Sequence, residues 1–159
     1  MNELVALFLL VVANGAPVVV RDLLGSRLAW PLDAGRRAPD GRRWLGASKT
    51  LRGVLSAVSC TSLAAALVGL PWLVGAEVGL LAMVGDVLAS FVKRRMGIAS
   101  SGRAPGLDQI PESLLPAAVL SGPLGLDGIG VLVVTAAFFV LEVTISPVLY
   151  RLGIRQRPY

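Results

Sequence analysis

Residues 85–112 read GDVLASFVKRRMGIASSGRAPGLDQIPE, and this stretch decides how the rest of the chain is read. It starts inside a mostly apolar run from Trp72 to Val92 that carries two acids, Glu77 near one end and Asp86 near the other. Lys93, Arg94 and Arg95 end that run, a Gly/Ser/Pro loop follows, and Asp108 stands just before the chain turns apolar again. Read as a helix, the first part puts Asp86, Ser90 and Lys93 on one face, at offsets of four and seven. A carboxylate near a membrane surface, a cationic cluster two turns on and a second carboxylate across a short loop can together hold a metal ion and a phosphate chain.

Composition sets the class. Of 159 residues, 55% are hydrophobic and only 16% charged, which points to an all-α, multi-span membrane protein with a single domain over 1–159. The net charge of +5 would suggest nucleic acid in a soluble chain. Here the cations lie between apolar runs, so nucleic acid is not expected, and anionic lipid or a nucleotide is the better partner. Cys60 is the only cysteine and histidine is absent, so no disulfide or thiolate site can form and any metal must be held by oxygen. Oxygen ligands favour Mg²⁺ or a similar hard ion.

About five spans follow from the apolar runs: Leu4 to Val20, Val54 to Leu70, Trp72 to Val92, a short broken one from near Ile110 to Leu126, and Ile129 to Tyr150. Asn14 and Pro17 sit toward the far end of the first, as a packing Asn in a kinked helix or as a polar lining near the headgroups. Between the first two spans, Arg21 to Arg52 is a basic, Gly- and Pro-punctuated loop ending in Ser48-Lys49-Thr50-Leu51-Arg52. Small residues beside hydroxyls and cations suit phosphate oxygens, and a basic membrane anchor is the open alternative. The leading glycines of a P-loop are missing.

All fifteen Lys and Arg fall in three segments: eight in 21–52, four in 93–103 and three in the tail from Arg151. With five spans these share one face, so the positive-inside rule places the N-terminus outside and the C-terminus in the cytoplasm. Asp86 could be satisfied by snorkelling Lys93, but its company of Ser90, the basic cluster and Asp108 favours a functional role. Asp108 reads as an N-cap of the fourth helix, with Pro111 in its first turn, and as a metal ligand; the two are compatible. Glu142 is open between packing and the site.

These residues resemble the CDP-archaeol synthase family, a branch of the membrane phosphatidate cytidylyltransferase group, from end to end. The likeness lies in Ala13-Asn14, Pro17-Val18, Gly46-x-Ser48-Lys49-Thr50-x-Arg52-Gly53, Gly85-Asp86, Ser90-Phe91-x-Lys93-Arg94-Arg95-x-Gly97, Leu107-Asp108-Gln109, Gly153 and Pro158-Tyr159. The resemblance implies a cytidylyltransferase that takes CTP and a lipid phosphate, with Mg²⁺, and gives a CDP-activated lipid and pyrophosphate. It implies Asp86, Asp108 and Lys93 as catalytic residues, with Asp86 and Asp108 on the metal. Ser48, Lys49, Thr50, Arg52, Ser90, Arg94 and Asn14 would hold CTP and its phosphates. Where the family shows Asp-x-x-Asp, this chain has Pro111 three residues after Asp108 and then Glu112, which would take the second carboxylate's place on the metal. Homo-oligomerisation stays open. A second class, a non-catalytic membrane protein or small transporter with lipid-binding basic loops, predicts that the cations splay apart. An enzyme predicts that Lys49, Asp86, Lys93 and Asp108 converge on one cytoplasm-facing cavity.

Overall fold

The computed structural model describes residues 2–100, 102 and 104–151, with backbone only for 146–151. Arg103 and the tail from 152, with Gly153, Pro158 and Tyr159, lie outside the described residues. Five helices form: α1 (Asn2–Leu24), α2 (Leu51–Leu67), α3 (Trp72–Arg95), α4 (Gln109–Val119) and α5 (Gly128–Arg151). Among the described residues there is no strand, only two isolated bridges, Pro31 with Thr50 and Arg37 with Arg43.

A helix appears at each of the five expected spans, in order and with shifted ends. α1, α3 and the 128–145 part of α5 are long and apolar enough to cross a bilayer. α2 has 17 residues and α4 only 11, so at 1.5 Å per residue α4 covers about 16 Å, roughly half a hydrocarbon core. Pro116 lies inside α4, which ends three residues later at Val119, and the chain then turns before Gly128, so the prolines of that segment go with a short helix. α1 and α3 overrun their apolar cores by a turn, so Arg21, Lys93, Arg94 and Arg95 are helical residues rather than loop residues.

Small residues set the packing. α3 lies against α2 at Gly75 and Gly79, where a Cβ would stand 2.3 Å from the Thr61 carbonyl oxygen and 2.9 Å from that of Ala57. Such close backbone approach is how membrane helices gain contact without a hydrophobic drive between them. α4 packs between α3 and α5, and α1 closes on α2, α3 and α5. The core, including Leu9, Leu10, Val78, Val134 and Phe138, fills one end of the bundle. There Asn2 Nδ2 donates to the Gly125 carbonyl at 2.9 Å, tying the start of α1 to the α4–α5 turn. Large apolar side chains such as Leu4, Leu55, Leu63, Leu80, Leu88 and Leu132 point outward, as a lipid-facing belt requires.

Candidate active site

The other end of the bundle is polar and opens on a cavity of about 270 Å³. α1 contributes Asn14, Pro17, Val18 and Arg21; the first loop contributes Ser48, Lys49 and Thr50; Arg52 comes from α2, Met83 and Asp86 from α3, Glu112 from α4 and Glu142 from α5. Pro17 has no N–H to donate to the preceding turn, and Asn14 Nδ2 turns back to the Leu10 carbonyl at 3.0 Å. Thr50 is the N-cap of α2, its hydroxyl accepting from the Gly53 N–H at 3.2 Å. The Ser48-Lys49-Thr50 segment therefore sits at the positive end of a helix dipole, a place suited to anions. Arg52 donates to the carbonyls of Gly25 and Arg27, which pins the start of the loop to α2.

Lys49 is the centre of the cavity. Its Nζ donates to both carboxylate oxygens of Asp86, at 2.6 Å each. This corrects the pairing of Asp86 with Lys93 suggested by helical spacing. Lys93 lies seven residues, about 10 Å, farther along α3, and its level is met by the returning loop instead. There Lys93 pairs with Asp108 and donates to the Gly102 carbonyl at 3.2 Å. Asp108 does occupy the N-cap position of α4, but its side chain makes no cap bond; it accepts from the Ala104 N–H at 2.9 Å, reaching backward into the loop.

The predicted residues thus fall in two adjoining groups. Asn14, Ser48, Lys49, Thr50, Arg52, Asp86 and Glu112 line the one cavity. Ser90, Lys93, Arg94 and Asp108 do not line it; Ser90, Lys93 and Arg94 are buried beside it. Glu112 links the groups, because the charges acting on it are those of Asp86, Glu142, Lys49 and Asp108. It stands four residues after Asp108, the same helical face that a spacing of three would reach. Gly85 allows this: its backbone touches α4 at Pro111 and Glu112. Arg94 is 6% exposed, and its Nε has no partner among the described residues. It faces a second hollow of about 240 Å³ shared with Arg42, Arg43, Gly46 and Ser100.

Sequence reasoning missed Arg21, Met83 and Asp33, and left Glu142 undecided. Asp33 lies outside the cavity and carries no motif. Burial opposes its charge, but Arg43 and the N–H groups of Gly46, Gly35 and Leu45 outweigh that and hold its pKa well below the usual carboxylate range. For a metal, the donor chemistry fits: the cavity holds the carboxylates of Asp86, Glu112 and Glu142, and its softer donor, the Met83 thioether, is a poor ligand for a hard ion. Among the described residues no three carboxylates cluster tightly enough to hold an ion alone, so phosphate oxygens would have to complete its shell.

A solved intramembrane enzyme of archaeal membrane-lipid biosynthesis superposes with a TM-score of 0.73 at 36% identity, covering 89% of this chain and 90% of its own. With the bundle and its cavity, this defines the class: an all-helical intramembrane enzyme. The model of the CarS-like CDP-archaeol synthases matches residues 71–159. A CDP-archaeol synthase of Sulfurisphaera tokodaii is 35% identical across 93% of this chain and 89% of its own length. One from Aeropyrum pernix is 36% identical across 93% and 86%. The chain belongs to the CDP-archaeol synthase family.

Proposed function

We propose that the protein transfers CMP from CTP to a lipid phosphate whose chains lie in the bilayer. A lipid phosphate oxygen attacks the α-phosphorus of CTP, the bond between the α-phosphorus and the bridging oxygen breaks, and pyrophosphate leaves with that oxygen. The relatives' name directs the choice of lipid toward an archaeol-type ether phosphate. The observation that carries the reading is the Lys49–Asp86 pair inside a cavity built by membrane helices at the N-terminus of α2. It offers a cation and a carboxylate at the depth where a lipid headgroup sits.

No protein nucleophile is required, so positioning and charge neutralisation supply most of the rate. Lys49, Arg52 and Arg21 face the cavity and offset the phosphate charge, while Ser48, Thr50 and Asn14 donate hydrogen bonds. Arg94 and Ser90, with Lys93, form the adjoining wall toward which the triphosphate extends. Asp86, Glu112 and Asp108 would hold Mg²⁺ together with phosphate oxygens. That ion would supply charge neutralisation at the transferring phosphoryl group. Lys49 and Lys93 hold Asp86 and Asp108 oriented until substrate takes over those contacts. In the membrane, the N-terminus lies outside and the basic loops in the cytoplasm, where CTP is available.

Purified protein incubated with labelled CTP, Mg²⁺ and a panel of ester- and ether-linked lipid phosphates tests this. Formation of a CDP-lipid and pyrophosphate in equal amounts is the expected result. No nucleotide transfer to any lipid phosphate would leave the lipid-binding or transport reading instead.

A further inference from the structure

Asp33 lies in none of the motifs that point to the reaction, yet five hydrogen bonds converge on its carboxylate. Gly35 N–H donates at 3.0 Å, Arg43 donates through Nε and Nη2, and the N–H groups of Leu45 and Gly46 donate at 3.2 and 3.0 Å. Its side chain is 1% exposed. Just before it in the chain, the backbone of residues 30–32 grips the far end of the loop. Leu32 N–H donates to the Lys49 carbonyl at 2.8 Å, and Leu51 N–H to that of Trp30 at 3.0 Å.

Residues 45–49 are thus held at one end by the Asp33 carboxylate and at the other by the backbone of Leu32. Gly46, which donates to Asp33, has φ +108°, and a Cβ there would stand 2.8 Å from Ser100 Oγ. That conformation suits glycine and lets the first loop approach the second. Three residues on, Lys49 reaches both oxygens of Asp86. We infer that Asp33 is a positioning residue: it fixes residues 45–49 so that the lysine and the helix N-terminus are aimed at the phosphate before substrate arrives.

The loop has a separate attachment to the bundle. Trp44 stacks on Phe91 at 5.7 Å, Arg42 Nη1 donates to the Arg95 carbonyl at 2.9 Å, and Arg95 pairs with Asp40 at 2.8 Å. Removing the Asp33 carboxylate should therefore loosen residues 45–49 without releasing the loop from α3. If a tenth of the molecules then hold the competent arrangement, the KM of the phosphate substrate gripped by this segment rises about tenfold at little cost in kcat. Simple loss of folded protein would lower kcat and leave KM alone.

The kinetic arm rests on the cytidylyl-transfer reading; the exchange arm does not. Purified full-length Asp33→Asn is compared with wild type by amide hydrogen exchange and by KM for CTP and for the lipid phosphate separately. The expected result is faster exchange confined to residues 33–49, with about a tenfold rise in one KM; which KM rises tells which phosphate the segment grips. Asp33→Glu, which keeps the charge but displaces it by one methylene, should raise the same KM by less. The inference is overturned if both KM values stay unchanged, if exchange rises across the helices or nowhere, or if neither variant accumulates as folded protein. Should wild type transfer no nucleotide at all, the function reading fails, and exchange alone decides whether Asp33 fixes the Lys49 segment.

Discussion

Gly85→Ala probes the join between the two carboxylate-bearing helices. A Cβ at Gly85 would stand 2.2 Å from the Pro111 carbonyl oxygen, 2.5 Å from its carbon and 2.7 Å from Glu112 Cα. All three are backbone atoms, so no side chain can rotate away. Restoring ordinary van der Waals contact requires α3 and α4 to part by about 1 Å, and interiors packed at crystal-like density resist that. Overpacking of this kind costs about 1–3 kcal/mol, and the upper end applies because only backbone can yield. For a chain of this length about 3 kcal/mol lowers Tm by roughly 6–12 °C. The same displacement carries Glu112 away from Asp86, and an error of about 1 Å at a reacting centre can cost on the order of 100-fold in rate. Gly15→Ala on α1 is the control, since a Cβ there meets nothing within 4 Å. Thermal unfolding in detergent and turnover of CTP are measured on all three proteins. A Gly85→Ala protein within about 2 °C of wild type and fully active would refute the close-contact argument.

Asp86→Asn and Asp108→Asn should each leave folded protein but reduce transfer on the order of 100-fold or more, with partial rescue at high Mg²⁺ or Mn²⁺. A variant with unaltered metal dependence would show that its carboxylate serves only its lysine. Glu112→Gln should be milder than either. The Asp33 carboxylate contributes stability above its unfolded pKa of about 4 and loses it only as pH falls through the lower folded value. The Tm gap between wild type and Asp33→Asn should therefore be constant from about pH 8 to about 4.5 and narrow below about pH 4; a gap that widens toward acid would reverse the sign of the argument. Cysteines placed at Trp72, which is exposed, or at Gly122, where a Cβ meets nothing within 4 Å, should react with an impermeant reagent from outside the cell, and labelling only after the membrane is opened would invert the topology.

Hydropathy and charge spacing along the chain were enough to identify a membrane-embedded helical protein, its five helices in order and the gathering of every cation into three segments. Those properties are local or additive: an apolar run must bury its backbone bonds in a helix wherever it sits in lipid, and each cation counts by its position alone. The motif residues of the first loop, α3 and α4 were legible because their residue types speak for phosphate and hard-ion chemistry. Partners were not legible. Helical spacing allowed Asp86 to pair with Lys93, but the loop from α1 brings Lys49 to Asp86 and the loop after α3 brings Asp108 to Lys93. Nor could spacing show that Asp33, one acid among eight loop cations, would become the bonded centre of its loop. Such pairings depend on where irregular backbone folds back, which tertiary packing decides. At Gly85 it is the missing Cβ, a local feature, that lets two distant segments meet, and only the assembled bundle shows which two.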